Sequence, residues 1–222
     1  MLEKMDSFFE ARVEGYDEHM INNVEGCKEA YEKMAELIPG DCLNLLDLGC
    51  GTGLELDKIF KKNPEIKVTG VDLTKAMLDK LKEKYKGKEI TLINENYFNY
   101  NFDYMKYDVV ISFQTMHHFY HEQKIYLYTK IYNSLKDNGK YIECDYMVCD
   151  QKEEDYNLSE YERIKEDLGI EKNEFYHYDI PCTINNEIEI LRKAGFRKSK
   201  MLWRKGDTTI IEAIKSIEPN KD

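Results

Sequence analysis

A stretch with three closely spaced glycines gives this chain its clearest chemical signal. Residues 46–53 read LDLGCGTG, and Gly49, Gly51 and Gly53 can adopt positive φ and leave the main chain open to a ligand. A second apolar run ends at Asp72, roughly twenty residues later. A carboxylate there can accept both ribose hydroxyls of an adenosine. The pattern predicts a nucleoside site, although a glycine turn alone also occurs in plain strand-to-helix connections.

A second set of residues could bind an acceptor or move a proton. His117 and His118 follow one apolar run, Asp145 ends another, and His177 lies further along. Because an imidazole titrates near neutral pH, His117 is the first candidate for a general base. Asp145, which we expect to face the same cleft as His117, is the second candidate, and His177 is the third. Each also has a structural interpretation: either histidine of the pair could pack or cap a turn, Asp145 could begin a turn, and His177 could be a surface residue.

No metal site is expected from the sequence. His117, His118 and His121, with Glu143 or Asp145, supply enough nitrogen and oxygen donors. However, adjacent histidines on an extended or turning backbone should diverge, and no second motif fixes their geometry.

Apolar runs and amphipathic segments alternate along the chain and predict a doubly wound α/β fold. The predicted strands are 43–48, 66–72, 90–93, 107–113 and 141–148, followed by a hairpin of 196–203 and 208–214 around residues 204–207. The predicted helices begin near 54, 74, 122 and 183. The expected sheet is mostly parallel and seven-stranded, with a carboxy-terminal antiparallel hairpin.

The length fits one domain spanning residues 1–222. Within it we expect an amino-terminal helical cap (1–38), a cofactor-binding core (39–148), a lid or substrate insertion (149–182), and a last helix with the hairpin (183–222). The insertion is acidic and tyrosine-rich, with a helix near 158–168. A solvated surface helix is an equally good interpretation of it.

Composition limits the partners. The net charge of −11 argues against a large nucleic-acid footprint, so a small-molecule substrate is favoured. The six cysteines show no CxxC pair, and we find neither a signal peptide nor an apolar run of membrane-spanning length. A reducing cytoplasm is the expected location, and the oligomeric state stays open.

The chain resembles a class I S-adenosylmethionine-dependent methyltransferase. The resemblance covers about 39–214 and rests on LDLGCGTG, VDLT at 71–74, YDVVIS at 107–112 and LRKAGF at 191–196. The turn reads G-C-G-T-G, whereas a nicotinamide dinucleotide needs G-x-G-x-x-G. Asp47, just before the turn, would repel a pyrophosphate but suits a ligand that carries an ammonium and a sulfonium.

The resemblance implies a set of cofactor contacts. The methionine part would lie against the backbone of Gly49, Cys50 and Gly51, with Asp47 near its ammonium. The ribose would bind Asp72, and the adenine would contact Leu73, Met77, Asn96 and Tyr97, where Glu95 is an alternative to Asn96. Phe113 and Gln114 would lie near the sulfonium, and Tyr16 would close the site.

The implied reaction is a direct SN2 transfer of the sulfonium methyl to an O, N, S or C atom, accelerated by in-line positioning. An RNA (tRNA) or protein methyltransferase and a non-catalytic S-adenosylmethionine-binding protein are the alternatives. A nicotinamide-dependent oxidoreductase is disfavoured by the glycine spacing.

Overall fold

A seven-stranded sheet organises the protein, which the computed structural model describes over residues 2–216. The strands are β1 (Asn44–Leu48), β2 (Lys67–Asp72), β3 (Ile90–Asn94), β4 (Tyr107–Phe113), β5 (Leu135–Tyr146), β6 (Lys198–Lys205) and β7 (Thr208–Ile214). Their order is β3-β2-β1-β4-β5-β7-β6, parallel from β3 to β5, with β7 antiparallel to both neighbours. The predicted fold class is confirmed.

Helices cover both faces of this sheet. They are α1 (Met5–Glu10), α2 (Tyr16–Asn22), α3 (Cys27–Leu37), α4 (Leu56–Lys62), α5 (Lys75–Lys84), α6 (His121–Ser134), α7 (Gln151–Leu168) and α8 (Ile184–Lys193). One core joins α3, α4 and α5 to the sheet, and the other joins α6 and α8. Leu45 lies in the first core and Leu46 in the second, because successive residues of a strand point to opposite faces.

The start of β5 differs from the sequence prediction. The apolar spacing predicts a helix from about Glu122 to Lys136, ended by Asn138-Gly139. In the structure, α6 ends at Ser134 and β5 begins at Leu135. The pairing of β4 with β5 shifts register between Tyr107 and Val109, and Asn138 adopts φ 61°. Asn138 and Gly139 therefore form a bulge-like irregularity within β5. The left-handed conformation of Asn138 accommodates the extra residues that β5 has relative to β4.

The amino-terminal segment pairs with the chain that follows α7. Met5 N–H donates to the Phe175 carbonyl (3.2 Å), and His177 N–H donates to the Glu3 carbonyl (2.9 Å). The Phe8 and His177 rings stack with centroids 3.5 Å apart. These contacts bring the predicted cap and the predicted insertion together at one end of the sheet. Within residues 2–216, no helix combines the length and apolar character needed to cross a membrane.

A buried carboxylate fixes α7 against its neighbours. Glu154 accepts hydrogen bonds from the Thr183 N–H (2.5 Å) and the Asn186 amide (2.9 Å), and it lies 2.8 Å from His121 Nε2. Burial alone would raise the pKa of Glu154, but these donors lower it to about 2 from the usual 4.5. The carboxylate form thus holds α7 to the starts of α6 and α8.

We expect Glu154 to make stability pH-dependent in acid. A depressed folded-state pKa contributes stability above the unfolded value, and that contribution is lost as pH falls from 4.5 towards about 2. The difference in unfolding free energy between wild type and Glu154→Gln should be large at pH 6 and shrink on acidification. Urea unfolding across this range measures it, and a difference independent of pH would contradict the assignment.

Candidate active site

Three adjoining cavities lie at the carboxyl ends of the parallel strands. The large cavity, about 770 Å³, is lined by residues from the amino-terminal segment, the region after β4 and the segment after α7. The Asp72 cavity contains Asp72, Leu73, Asn96 and Tyr97, and the glycine-loop cavity runs along residues 49–55. Phe9 and His118 line both of the first two, Gly49 lines the last two, and Tyr16 lines the first and third. The three cavities are therefore neighbours that share walls.

Of the three glycines in the turn, Gly51 has the most free space around its Cα. Gly49, Gly51 and Gly53 have φ of 70°, 46° and 72°. A Cβ at Gly49 would lie 2.7 Å from Thr115 Oγ1, and one at Gly53 would lie 3.0 Å from Leu81 Cγ. At Gly51 the nearest atom would be Tyr16 Cε1, at 3.7 Å. Close packing thus explains the missing side chains at Gly49 and Gly53, while Gly51 leaves the main chain accessible beneath Tyr16.

Asp72 ties the glycine turn to the end of β2. Its Oδ2 accepts the Gly51 N–H (2.9 Å), and its Oδ1 accepts the Thr74 N–H (2.7 Å). Burial raises the pKa of Asp72, and the two backbone donors oppose that shift. The carboxylate is therefore fixed in orientation at the wall of its cavity.

Two buried carboxyl groups lie beneath the turn. Asp47 is 1 % exposed, and neither of its carboxylate oxygens meets a hydrogen-bond donor in the described part of the chain. Burial and the neighbouring Glu55 raise the pKa of Asp47 well above its usual range, and burial raises that of Glu55 to about 6. Unpartnered buried carboxyl oxygens beside an open glycine loop fit a cationic ligand group, as the ammonium of S-adenosylmethionine requires.

The other predicted cofactor residues are distributed around these cavities. Asn96 Oδ1 accepts the Phe98 N–H (2.9 Å), which orders the loop after β3. The Tyr97 hydroxyl lies 3.0 Å from Thr115 Oγ1. Phe113 stacks on Tyr31 at 4.1 Å and lines the glycine-loop cavity.

Three residues predicted to contact the cofactor lie outside the walls of the Asp72 cavity: Met77, Cys50 and Gln114. Met77 is 1 % exposed within α5, and Cys50 is 2 % exposed. A Cβ at Gly70 would lie 2.9 Å from the Cys50 sulfur, so the Cys50 side chain packs directly against β2 at Gly70. Gln114 lines the large cavity and adopts φ 51°. Its amide lies 3.4 Å from Thr208 Oγ1.

The polar end of the large cavity is a group of four side chains that we call the His–Asp cluster: His117, His118, Asp145 and Asp179. His117 Nδ1 lies 2.5 Å from Asp145 Oδ1, and its Nε2 lies 3.5 Å from Asp179 Oδ1. His118 Nδ1 lies 3.1 Å from the Tyr178 carbonyl and 3.4 Å from Asp179 Oδ1. The Ile180 N–H donates to the His117 carbonyl (2.8 Å), which joins the two segments.

The charges of the cluster follow from its geometry. Burial alone would lower the pKa of His117, but the carboxylates of Asp145 and Asp179 raise it to about 10. Burial and the adjacent His117 lower the pKa of His118. Burial followed by His118 lowers that of His177 to about 4. At neutral pH, His117 is therefore an imidazolium, while His118 and His177 are neutral.

The cluster corrects two expectations about individual residues. Asp145 does not face the cleft: it is 1 % exposed and acts on His117 from the buried side. The two adjacent histidines do not diverge, since their ring centroids are 4.0 Å apart. They belong to a single 3-10 turn, Met116–His118, in which consecutive side chains are separated by about 120°. His177 reaches the same cavity, with its ring 5.0 Å from that of His118.

Sequence reasoning missed Asp179 and Phe9. Asp179 is two residues after His177, and in an extended segment that spacing places both on one face. The alternation was therefore a usable signal. Phe9 gave none, because an aromatic residue near the start of a chain is as readily a packing residue.

Tyr16 is expected to contribute to cofactor affinity from its place over Gly51. Tyr16→Ala should weaken S-adenosylmethionine binding roughly tenfold, the effect of losing one aromatic contact of about 1.4 kcal/mol. Tyr16→Phe, which keeps the ring, should bind like wild type. Calorimetric titration measures both, with Tyr104→Ala as a control at an exposed position. Wild-type affinity in Tyr16→Ala would contradict a closing role.

The known proteins similar to this chain include methyltransferases. A family model described as a methyltransferase domain matches residues 45–139. A carboxy-S-adenosyl-L-methionine synthase from Nautilia profundicola is 24% identical over 96% of this chain and 96% of its own length. Malonyl-acyl-carrier-protein O-methyltransferase 1 from Ilyobacter polytropus is 34% identical over 44% of this chain and 35% of that protein.

A solved structure shares the fold. Human N-acetylserotonin methyltransferase, determined in complex with S-adenosylmethionine, superposes with a TM-score of 0.63 at 16% identity. The match covers 95% of this chain and 55% of that one, so this chain spans about half of its length.

The sheet order and the match to a methyltransferase domain over residues 45–139 identify an α/β enzyme with the methyltransferase fold. The chain is similar to S-adenosylmethionine-dependent methyltransferases, and its cofactor is S-adenosylmethionine.

Proposed function

We propose that this enzyme transfers a methyl group from S-adenosylmethionine to an anionic oxygen of a small molecule held in the large cavity. The observation that carries the proposal is that the three cavities adjoin one another. The Asp72 and glycine-loop cavities together suit a donor, and each shares a wall residue with the large cavity, His118 in one case and Tyr16 in the other. A volume of about 770 Å³ is typical of small-ligand sites.

The donor would extend along the carboxyl edge of the sheet. Asp72 would bind the ribose, Leu73 and Asn96 would flank the adenine, and the main chain at Gly51 would support the methionine part. When bound, S-adenosylmethionine supplies an already activated methyl group on its sulfonium. The protein's part is then to hold donor and acceptor in line and to exclude water.

The acceptor end favours an oxygen that arrives ionised. His117 is an imidazolium at neutral pH because two carboxylates raise its pKa to about 10, so it donates hydrogen bonds instead of removing a proton. A carboxylate or similar anion needs no general base for methylation. His117 would hold such an oxygen, and Asp145 would act as a positioning residue for His117. His177, neutral and stacked on Phe8, would form part of the wall.

Charge and relatives support a small acceptor. The net charge of −11 disfavours a polyanionic nucleic acid. The names of two relatives specify a carboxylated S-adenosylmethionine and a malonyl group as their chemistry. A cytoplasmic location is part of the same proposal and fits six free thiols. The single-domain layout, with residues 149–182 as a lid over the acceptor, is also proposed.

Transfer of labelled methyl groups tests the proposal. The enzyme is incubated with methyl-labelled S-adenosylmethionine and, separately, a pool of small carboxylic acids, tRNA or a protein extract. We expect label in the acid fraction together with stoichiometric S-adenosylhomocysteine. Label confined to tRNA or protein would contradict the small-molecule acceptor. Binding without turnover in any fraction would contradict the reaction and favour a non-catalytic binding protein.

A second reaction of the same cofactor has one specific observation in its favour. The Nautilia relative, named as a carboxy-S-adenosyl-L-methionine synthase, aligns over 96% of this chain, so the match includes the segments that line the large cavity. Mass spectrometry of the nucleoside products distinguishes the two reactions. Methyl transfer yields S-adenosylhomocysteine. The reaction in that name would exchange one hydrogen of S-adenosylmethionine for a carboxylate, so it would need a second substrate that donates the carboxyl group and would yield a heavier nucleoside.

A further inference from the structure

The His–Asp cluster has the spacing of a metal site. Asp179 Oδ1 lies 3.5 Å from His117 Nε2 and 3.4 Å from His118 Nδ1. The three atoms all lie within 4.8 Å of one another. Ligands at about 2.0–2.1 Å from a tetrahedral zinc ion are about 3.4 Å apart, so two of the three edges already match.

The distances from Asp179 to the two histidines are long for hydrogen bonds but match the separation of two ligand atoms on one metal ion. Asp179 Oδ1 is buried and meets no hydrogen-bond donor of acceptable geometry in the described residues, although two imidazole nitrogens lie near it. His118 Nδ1 faces the Tyr178 carbonyl at 3.1 Å, and a metal ion would replace the proton shared there. A single cation placed between the three atoms would satisfy the unpartnered oxygen.

The surroundings provide the support that a metal-binding histidine needs. Asp145 accepts the Nδ1–H of His117 at 2.5 Å, which leaves Nε2 directed at Asp179. A carboxylate that holds the other ring nitrogen fixes the tautomer and raises the basicity of the ligand. The Ile180 N–H bond to the His117 carbonyl also fixes the backbone next to Asp179.

We infer that His117, His118 and Asp179 bind one divalent transition-metal ion of the zinc class, with its fourth position open to the large cavity. Two imidazoles select zinc, cobalt or nickel over magnesium or calcium, which prefer oxygen ligands. When both imidazoles are neutral, Asp145 and Asp179 give the cluster a net negative charge, which favours binding of a cation. All three proposed ligands line the large cavity, so the open position faces it.

The ion would replace the Nε2 proton of His117. It would then hold the acceptor's oxygen, which the His117 imidazolium holds in the metal-free protein. This use rests on the proposed function, because it needs an oxygen ligand in the large cavity. Binding of the ion itself does not, since it depends only on the three protein ligands. The two claims are therefore tested by different measurements.

Metal titration of the full chain tests the site. After dialysis against a chelator, the protein is titrated with Zn²⁺ by calorimetry and with Co²⁺ by visible absorption. We expect one ion per chain and the strong absorption of tetrahedral cobalt. His118→Gln and Asp179→Asn should each weaken binding about 100-fold or more, because each removes one of three ligands, and Asp145→Asn about tenfold through its support of His117.

Matched controls locate the ion. His19→Gln alters another histidine of the large cavity, and His121→Gln alters the other donor group in the described chain, formed with Glu154 and Cys182. Both should bind the ion as wild type does. Failure to bind Zn²⁺ or Co²⁺, or wild-type affinity in His118→Gln and Asp179→Asn, would overturn the inference. Circular dichroism and thermal unfolding, measured on the same variants, should match wild type and confirm that they are folded.

Discussion

Replacing His117 with glutamine is expected to lower kcat/KM about 100-fold while leaving S-adenosylmethionine affinity unchanged. A carboxylate lies near each nitrogen of the His117 imidazole: Asp145 is 2.5 Å from Nδ1, and Asp179 is 3.5 Å from Nε2. Displacing an acceptor by about 1 Å from the line of attack costs on the order of 100-fold in rate. Steady-state kinetics and calorimetric titration of the cofactor together separate this effect from a loss of donor binding.

Asp145→Asn distinguishes support of His117 from direct contact with the acceptor. An amide can still meet His117 Nδ1 but no longer stabilises an imidazolium, so we expect a smaller fall, roughly tenfold, in the same kinetic constant. Asp41→Asn, at an exposed position that lines none of the three cavities, serves as the control. If Asp145→Asn were more damaging than His117→Gln, Asp145 itself would contact the acceptor and our placement of it would be wrong.

Replacing Asp72 with alanine should weaken S-adenosylmethionine binding about 100-fold. Two ribose hydrogen bonds to a carboxylate, each of about 1.5 kcal/mol, account for that factor. Asp72 also accepts the Gly51 and Thr74 N–H groups, so its loss should loosen the turn that supports the methionine part. Calorimetric titration with S-adenosylmethionine measures the affinity, and thermal unfolding measures the effect on the turn.

Asp72→Asn separates these two contributions. The amide oxygen can replace one backbone contact but carries no charge, so we expect affinity between those of wild type and the alanine variant. Asp41→Ala, at an exposed position, should change neither property. Near-wild-type affinity in Asp72→Ala would show that the ribose binds elsewhere and would remove the basis for the donor placement.

The cofactor half of the site was predictable because its signals are local. Buried strands, glycines and an acid at a strand end all follow from short-range spacing, and parallel strands bring their carboxyl ends to one edge. Asp72 and Gly51 consequently meet in the structure through a hydrogen bond of 2.9 Å. His117 and Gln114 follow the end of β4, which places them at the same edge.

The acceptor half was less predictable because its geometry depends on long-range pairing. The orientation of Asp145 depends on the side to which β5 presents it, which a strand prediction with uncertain ends does not determine. Asp179 reaches the cluster because the segment after α7 pairs with the amino terminus, through contacts such as His177 N–H to the Glu3 carbonyl. The convergence of His117 and His118 depends on the 3-10 turn, which no periodicity indicated.

The most direct test is a crystal structure with S-adenosylhomocysteine bound. We expect the ribose hydroxyls on Asp72, the amino group above the turn near Asp47, and the sulfur directed past Tyr16 into the large cavity towards His117. A ligand whose sulfur faces away from that cavity, or whose ribose does not contact Asp72, would contradict it.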